Sequence, residues 1–267
     1  GCGPRDATVL MAPMDGSLTV DNRGGCAWVT IDRPPLNLLV PELIRSVRDA
    51  FEGLARNTQV RAAVITGAGP VLTAGMQLEY LRDLTPAGAK PFITLLHQAI
   101  HAVHEAPFPT ICMMNGHCFG AGFELAMACD MRTASTEARM GLPEIRVGIP
   151  SVIEAALLPG LIGPARAAEA LLTGEGITAA RALTWGLVNR VAPPHELQAV
   201  TEALVAPILE CAPTAVRLQK ELIIRWRNTD QRTAVEYGIN ALAQAFATGE
   251  PREAMQAFLE KRKPRFE

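Results

Sequence analysis

Apolar and polar positions follow a strand period and then a helix period, and this change recurs along the first part of the chain. Residues 18–21 (LTVD) and 26–31 (CAWVTI) are strand-like and flank Asn22-Arg-Gly-Gly, which has the turn residues of a hairpin. In residues 41–55 the apolar positions Leu43, Ile44, Val47, Phe51 and Leu54 lie one, three, four and three apart, which is one face of a helix. Residues 62–66 (AAVIT) then read as a buried strand, so the first unit is ββα feeding a strand. A Gly-rich loop leads through Thr73-Ala-Gly-Met76 to a helical stretch ending near Glu105, and residues 109–114 form the next buried strand. Asn115-Gly116 turns the chain into a helix start, residues 120–129, and short strands at 131–134 and 138–140 precede Pro143-Glu144.

Beyond Gly148 the pattern is helical at 152–161, 165–172, 179–185, 196–209, 214–226 and 233–246, with a short strand at 187–191. No linker-like stretch divides these parts. The expected organisation is a poorly defined N-terminal segment (1–17), a βα core (18–195) and a helical C-terminal region (196–267), an α/β fold built as one body.

Composition narrows the partners. The 267 residues are 49% hydrophobic and 19% charged, ordinary globular usage. Lys and Arg number 25 against 27 Asp and Glu, a formal charge of −2, so no global field draws in nucleic acid or anionic lipid. Six cysteines without a CxxC spacing point to a reducing compartment. No apolar run approaches the roughly 20 residues of a membrane span, and residues 1–17 lack signal-peptide features. A cytoplasmic protein with no membrane partner is expected.

The candidate chemistry gathers around residues 115–130. A strand that runs into Gly120-Ala-Gly122 at a helix start offers bare backbone N–H groups to negative charge. Glu124 follows among Phe123, Leu125, Ala126 and Met127, where a carboxylate is desolvated and its pKa rises. Glu144 lies in a Gly- and Pro-punctuated loop; two carboxylates across one substrate divide acid and base work, although spacing alone does not show that they face each other. Gly67-Ala-Gly69 lacks the remaining residues of a P-loop or a dinucleotide fingerprint. Gly75, in Ala74-Gly75-Met76, allows the next N–H to point at a ligand as a second oxyanion donor. His97, His101 and His104 fall on one helix face with metal-compatible spacing, but no acidic or Cys partner recurs beside them, so no metal is expected. His117, without a paired nucleophile, reads as structural.

These residues together resemble the crotonase, or enoyl-CoA hydratase/isomerase, superfamily. The resemblance rests on Arg33-Pro-Pro-Leu-Asn37, residues 65–78, Pro109-Thr-Ile to Asn115-Gly, residues 120–130 and Pro143-Glu144-Ile, and continues through Leu171-Leu-Thr-Gly174, residues 182–188 and residues 260–264. It implies a crotonase-like spiral of ββα units with a helical C-terminal trimerisation region, assembled as trimers or hexamers around an acyl-CoA thioester pocket. It also implies an oxyanion hole from the N–H groups of Met76 and Ala121. Glu124 would activate water for addition at Cβ and Glu144 would protonate Cα, as in a hydratase. Ala74, Gln77, Leu78 and Lys261 are the implied substrate and CoA contacts, and no cofactor is required because CoA is part of the substrate. An isomerase or another lyase of the same fold, and a non-catalytic binding trimer, are the alternatives.

One departure bears on the pocket. Where many hydratases carry a glycine pair after the second Glu, this chain has Ile153 and Glu154, and the preceding turn is one residue shorter. A bulkier pocket wall is expected from both residues, with Glu154 acting as a helix N-terminal charge or as a third acid.

Overall fold

The computed structural model describes residues 17–266. The expected segment 1–17 therefore lies outside the described residues except for Ser17. Among the described residues, ten strands form two sheets: β1 (Leu18–Arg23), β2 (Cys26–Ile31), β3 (Ala62–Gly67), β4 (Val71–Thr73), β5 (Thr110–Met114), β6 (His117–Phe119), β7 (Met131–Ser135), β8 (Arg139–Gly141), β9 (Ile177–Thr178) and β10 (Arg190–Ala192). The larger sheet has the order β1-β2-β3-β5-β7-β10, and the smaller has β4-β6-β8-β9. In the larger sheet only the β1–β2 hairpin is antiparallel; β2, β3, β5, β7 and β10 run parallel.

Parallel strands covered on both faces read as continuous apolar runs, and every residue of β3 and β5 is buried. The period of two divides the sheet's faces. Cys26, Trp28, Ala62, Val64, Ile111 and Met113 pack on one side with Leu197 and Val205 of α8 (Leu197–Glu210). Ala27, Val29, Ile31, Ala63 and Ile65 face the main core, where α1 (Pro41–Arg56) contributes Leu43, Ile44, Val47, Phe51 and Leu54. The helices between are α2 (Leu78–Arg82), α3 (Pro86–His104), α4 (Ala121–Ala128), α5 (Leu158–Ile162), α6 (Pro164–Thr173) and α7 (Ala179–Thr184). After α8 come α9 (Pro213–Trp226), α10 (Gln231–Phe246) and α11 (Glu250–Leu259).

α4 is buried all round and is anchored at its C-terminal end. Arg132 donates there to the carbonyls of Ala126, Met127 and Cys129, and His104 Nδ1 donates to Ala128 O at 3.0 Å. A cation and an N–H there offset the exposed carbonyl end of the helix. Buried Asn37 donates to the carbonyls of Ala68, Val71 and Leu72, and Asn115 donates to Gly69 O at 2.8 Å. Two motif residues thus pin the loop that feeds β4.

Several elements differ from the periodicity reading. Residues 152–161 do not form one helix: a short 3-10 turn, Glu154–Leu157, gives way to α5 with Pro159 in its first turn. β4 and β6 stand where a loop and a turn were expected, because three-residue strands show no period. The strand expected at 187–191 lies at Arg190–Ala192. Four of the five described cysteines are buried and all five are unpaired. No single described helix is long and apolar enough to cross a membrane.

Candidate active site

β4, β6 and β8 are parallel neighbours, and the chain leaving the C-terminal end of each enters one cleft. That shared edge is where open parallel sheets place ligands. After β4 comes Ala74-Gly75-Met76, after β6 comes Gly120 and the first turn of α4, and after β8 comes a short 3-10 turn, Pro143–Val147, that carries Glu144. The cleft is about 480 Å³ and is lined on its apolar side by Leu81, Phe92, Ile93 and Leu96 among others.

Gly75 and Gly120 have φ of +94° and +57°, a backbone region open to glycine. A Cβ on Gly75 would lie 3.0 Å from Phe119 O, and one on Gly120 would lie 2.7 Å from Glu144 Oε1 and 3.9 Å from Gly75 Cα. The two loops therefore abut through bare backbone. The N–H groups of Met76 and Ala121 donate to no group of the described chain, and both residues line the cleft. Two unpaired donors at a helix N-terminus and a neighbouring turn are suited to charge on a ligand oxygen.

Glu124 and Glu144 both line this cleft. Glu124, 4% exposed, accepts the Ala155 N–H at 2.9 Å. Burial pushes its carboxyl up to about 8, the Ala155 bond opposes the rise, and the charges of Glu144 and Glu154 add to it. Glu144 is half-buried, and its Oε2 accepts from Ser151 Oγ at 2.8 Å. Neither the Ala155 N–H nor Ser151 carried a sequence signal. Both come from the segment after Pro150, whose path the residue pattern leaves open.

Among the other expected site residues, Ala74 and Leu78 line the cleft, whereas Gln77 and Lys261 of the same protomer do not. Arg146, which the sequence reading passed over, does line it, with its Nε donating to Thr173 O at 3.0 Å. The expected wall of Ile153 and Glu154 is corrected: Ser151 and Val152 line the cleft, while Ile153 packs against the core. Glu154 does stand in the first turn of the 3-10 turn Glu154–Leu157, as the helix N-terminal reading expected, but without a side-chain cap bond; its carboxylate is buried behind the wall and meets His97 Nδ1 at 2.7 Å.

Comparison with known proteins identifies the family. The family profile described as enoyl-CoA hydratase/isomerase matches residues 21–267. A short-chain-enoyl-CoA hydratase from Clostridium acetobutylicum is 33% identical over 250 residues, covering 92% of this chain and 96% of its own. A crotonyl-CoA hydratase from Syntrophomonas wolfei is 34% identical, with 90% of this chain and 94% of its own covered. The crystal structure of an enoyl-CoA hydratase from Bacillus anthracis superposes with a TM-score of 0.90 at 29% identity, covering 94% of this chain and 98% of its own. With the fold, the cleft at the ends of three parallel strands and a match along nearly the whole chain in agreement, this protein belongs to the enoyl-CoA hydratase/isomerase family and is an enzyme of the crotonase superfamily.

Proposed function

We propose that the cleft catalyses reversible addition of water across the 2,3 double bond of a 2-enoyl-CoA. The observation that carries this reading is that two carboxylates line one cleft beside two unpaired backbone donors. The N–H groups of Met76 and Ala121 receive the thioester oxygen, where enolate charge develops and where fixed donors act most strongly. Glu124 takes a proton from the water that adds to Cβ, and Glu144 delivers one to Cα. Dehydration runs the same transfers backward. CoA enters as part of the substrate, and the oxyanion donors polarise the carbonyl without a Lewis acid. Incubation with 2-enoyl-CoA and product identification tests the assignment: a 3-hydroxyacyl-CoA supports it, and double-bond migration without hydration replaces it with an isomerase.

The pH dependence follows from the protons on the pair. Hydration starts with Glu124 ionised and Glu144 protonated, and dehydration starts with the reverse. Both starting states hold one proton between two coupled carboxyls. Burial lifts the Glu124 carboxyl to about 8. kcat/KM is therefore expected to fall as pH rises through about 8 in both directions, because the pair then loses its last proton. A kcat/KM profile that instead climbs through that pH removes the shared-proton scheme.

Self-association belongs to the same proposal. Val235, Ile239, Leu242 and Phe246 follow one face of α10 and are 54–65% exposed, and Phe258 and Leu259 extend apolar surface onto α11. So much exposed apolar surface on two helices is characteristic of an interface. Trimers or hexamers are expected in solution, and Lys261 is proposed to contact a CoA phosphate across the subunit boundary. Ile239→Asp with Leu242→Asp is expected to yield protomer-sized particles by light scattering; a monomeric wild-type enzyme with full activity contradicts the scheme.

A further inference from the structure

Glu154 is unusual among the carboxylates of the described chain. It is 8% exposed, one oxygen meets His97 Nδ1 at 2.7 Å, and Oε2 is buried without a hydrogen-bond partner. A buried carboxylate oxygen left unpaired is costly, so the site favours anything that brings positive charge to it. His101 lies one turn along α3 from His97, with ring centroids 5.3 Å apart. Donor atoms from His97, His101 and Glu154 all lie within 4.8 Å of one another.

We propose that His97, His101 and Glu154 form a binding site for a divalent transition-metal ion of the zinc type, between α3 and the 3-10 turn Glu154–Leu157. Two imidazoles and one carboxylate are a recurrent zinc ligand set that leaves a position open for water. Nitrogen donors favour zinc, cobalt or nickel over calcium and magnesium, which seek oxygen. The i, i+4 spacing keeps both imidazoles on one helix face. His104, the third histidine of that face, is excluded because it is buried and bonded to Ala128 O.

Tetrahedral zinc bonds separate neighbouring donor atoms by about 3.3 Å. The His97–Glu154 contact must open by roughly half an ångström to reach that spacing, and His101 must move inward. Both are side-chain motions on an accessible surface: the His97 side chain is 47% exposed and His101 is exposed. The ion would replace the single hydrogen bond with direct ligation and bring cationic charge to the orphaned oxygen. None of the three residues lines the catalytic cleft, so the site stands apart from the substrate. Glu154 nevertheless immediately precedes Ala155, whose N–H holds Glu124.

The test uses the full chain stripped of metal, titrated with Co2+ in the absence of substrate, followed by displacement with Zn2+ or Mg2+. The expected result is saturable binding of one Co2+ per protomer with the visible bands of a non-octahedral site, reversed by Zn2+ and not by Mg2+. His101→Ala, which alters an exposed side chain, and Glu154→Gln are each expected to weaken binding at least about tenfold while the circular dichroism spectrum is kept. Cys211→Ser, which removes an exposed thiol, is expected to leave binding unchanged. No saturable binding, or binding lost with Cys211 and retained without His101, overturns the site. Turnover of substrate plays no part in these readouts, so a failure here is distinct from a failure of the hydratase reading.

Discussion

Glu124→Gln and Glu144→Gln are each expected to lower kcat by about 10²-fold or more while CoA-ester binding stays near normal. Each substitution keeps shape and polarity and removes one proton carrier. An amide at position 124 retains an oxygen for the Ala155 N–H, and an amide at position 144 retains one for the Ser151 hydroxyl, so the cleft keeps its geometry. Steady-state kinetics with a 2-enoyl-CoA reads the effect. Near-full turnover in Glu124→Gln beside an inactive Glu144→Gln would rule out the hydratase and leave a single-base isomerase.

The same Glu124 variant carries a stability signature of opposite sign. The folded-state pKa is raised from 4.5 to about 8, so the folded chain holds more protons than the unfolded chain between those values. Stability therefore falls as pH rises through that window, and the cost is complete above about 8. Glu124→Gln is expected to raise the unfolding temperature at pH 8 relative to wild type, with little difference at pH 4. The site gives up stability for a group whose desolvation sets its proton affinity.

Lys220→Met is expected to destabilise the fold by about 3–5 kcal/mol, the cost of leaving a buried charge without its partner. Lys220 is 3% exposed, and its Nζ lies 2.6 and 2.7 Å from the two oxygens of Asp130. Asp130 also accepts the N–H and hydroxyl of Thr110. The pair ties α9 to the start of β5 and to the residues just beyond α4. Urea denaturation at fixed protomer concentration measures the loss, because assembly would otherwise shift the midpoint. A change below about 1 kcal/mol would mean that solvent or relaxation compensates Asp130.

The longer elements were legible because each carries its own burial pattern along its length, one face for a surface helix and an unbroken run for a strand covered on both sides. α1 and β3 show this most plainly: the 3.6-residue spacing of Leu43, Ile44, Val47, Phe51 and Leu54 and the unbroken run at 62–66 match the buried positions. α11 falls within the expected helical region 196–267 but received no bounds of its own, since its apolar residues Met255, Phe258 and Leu259 remain exposed in the protomer. β4, β6 and β9 are two or three residues long, too short for any period to register.

The site divides along the same line. The sequence by itself determined that Glu124 would be desolvated, because its neighbours along an all-apolar helix bury it, and that Gly75 and Gly120 would bare backbone N–H groups. The tertiary structure alone decided that Glu144, twenty residues further on, enters the same cleft, because the parallel pairing of β4, β6 and β8 brings their C-terminal ends to one edge. It also decided that Glu154 turns away from the cleft to His97, 57 residues earlier. Periodicity reports which face of an element is buried; which elements share that burial depends on strand pairing and on the path of the connecting turns, and these belong to the fold as a whole.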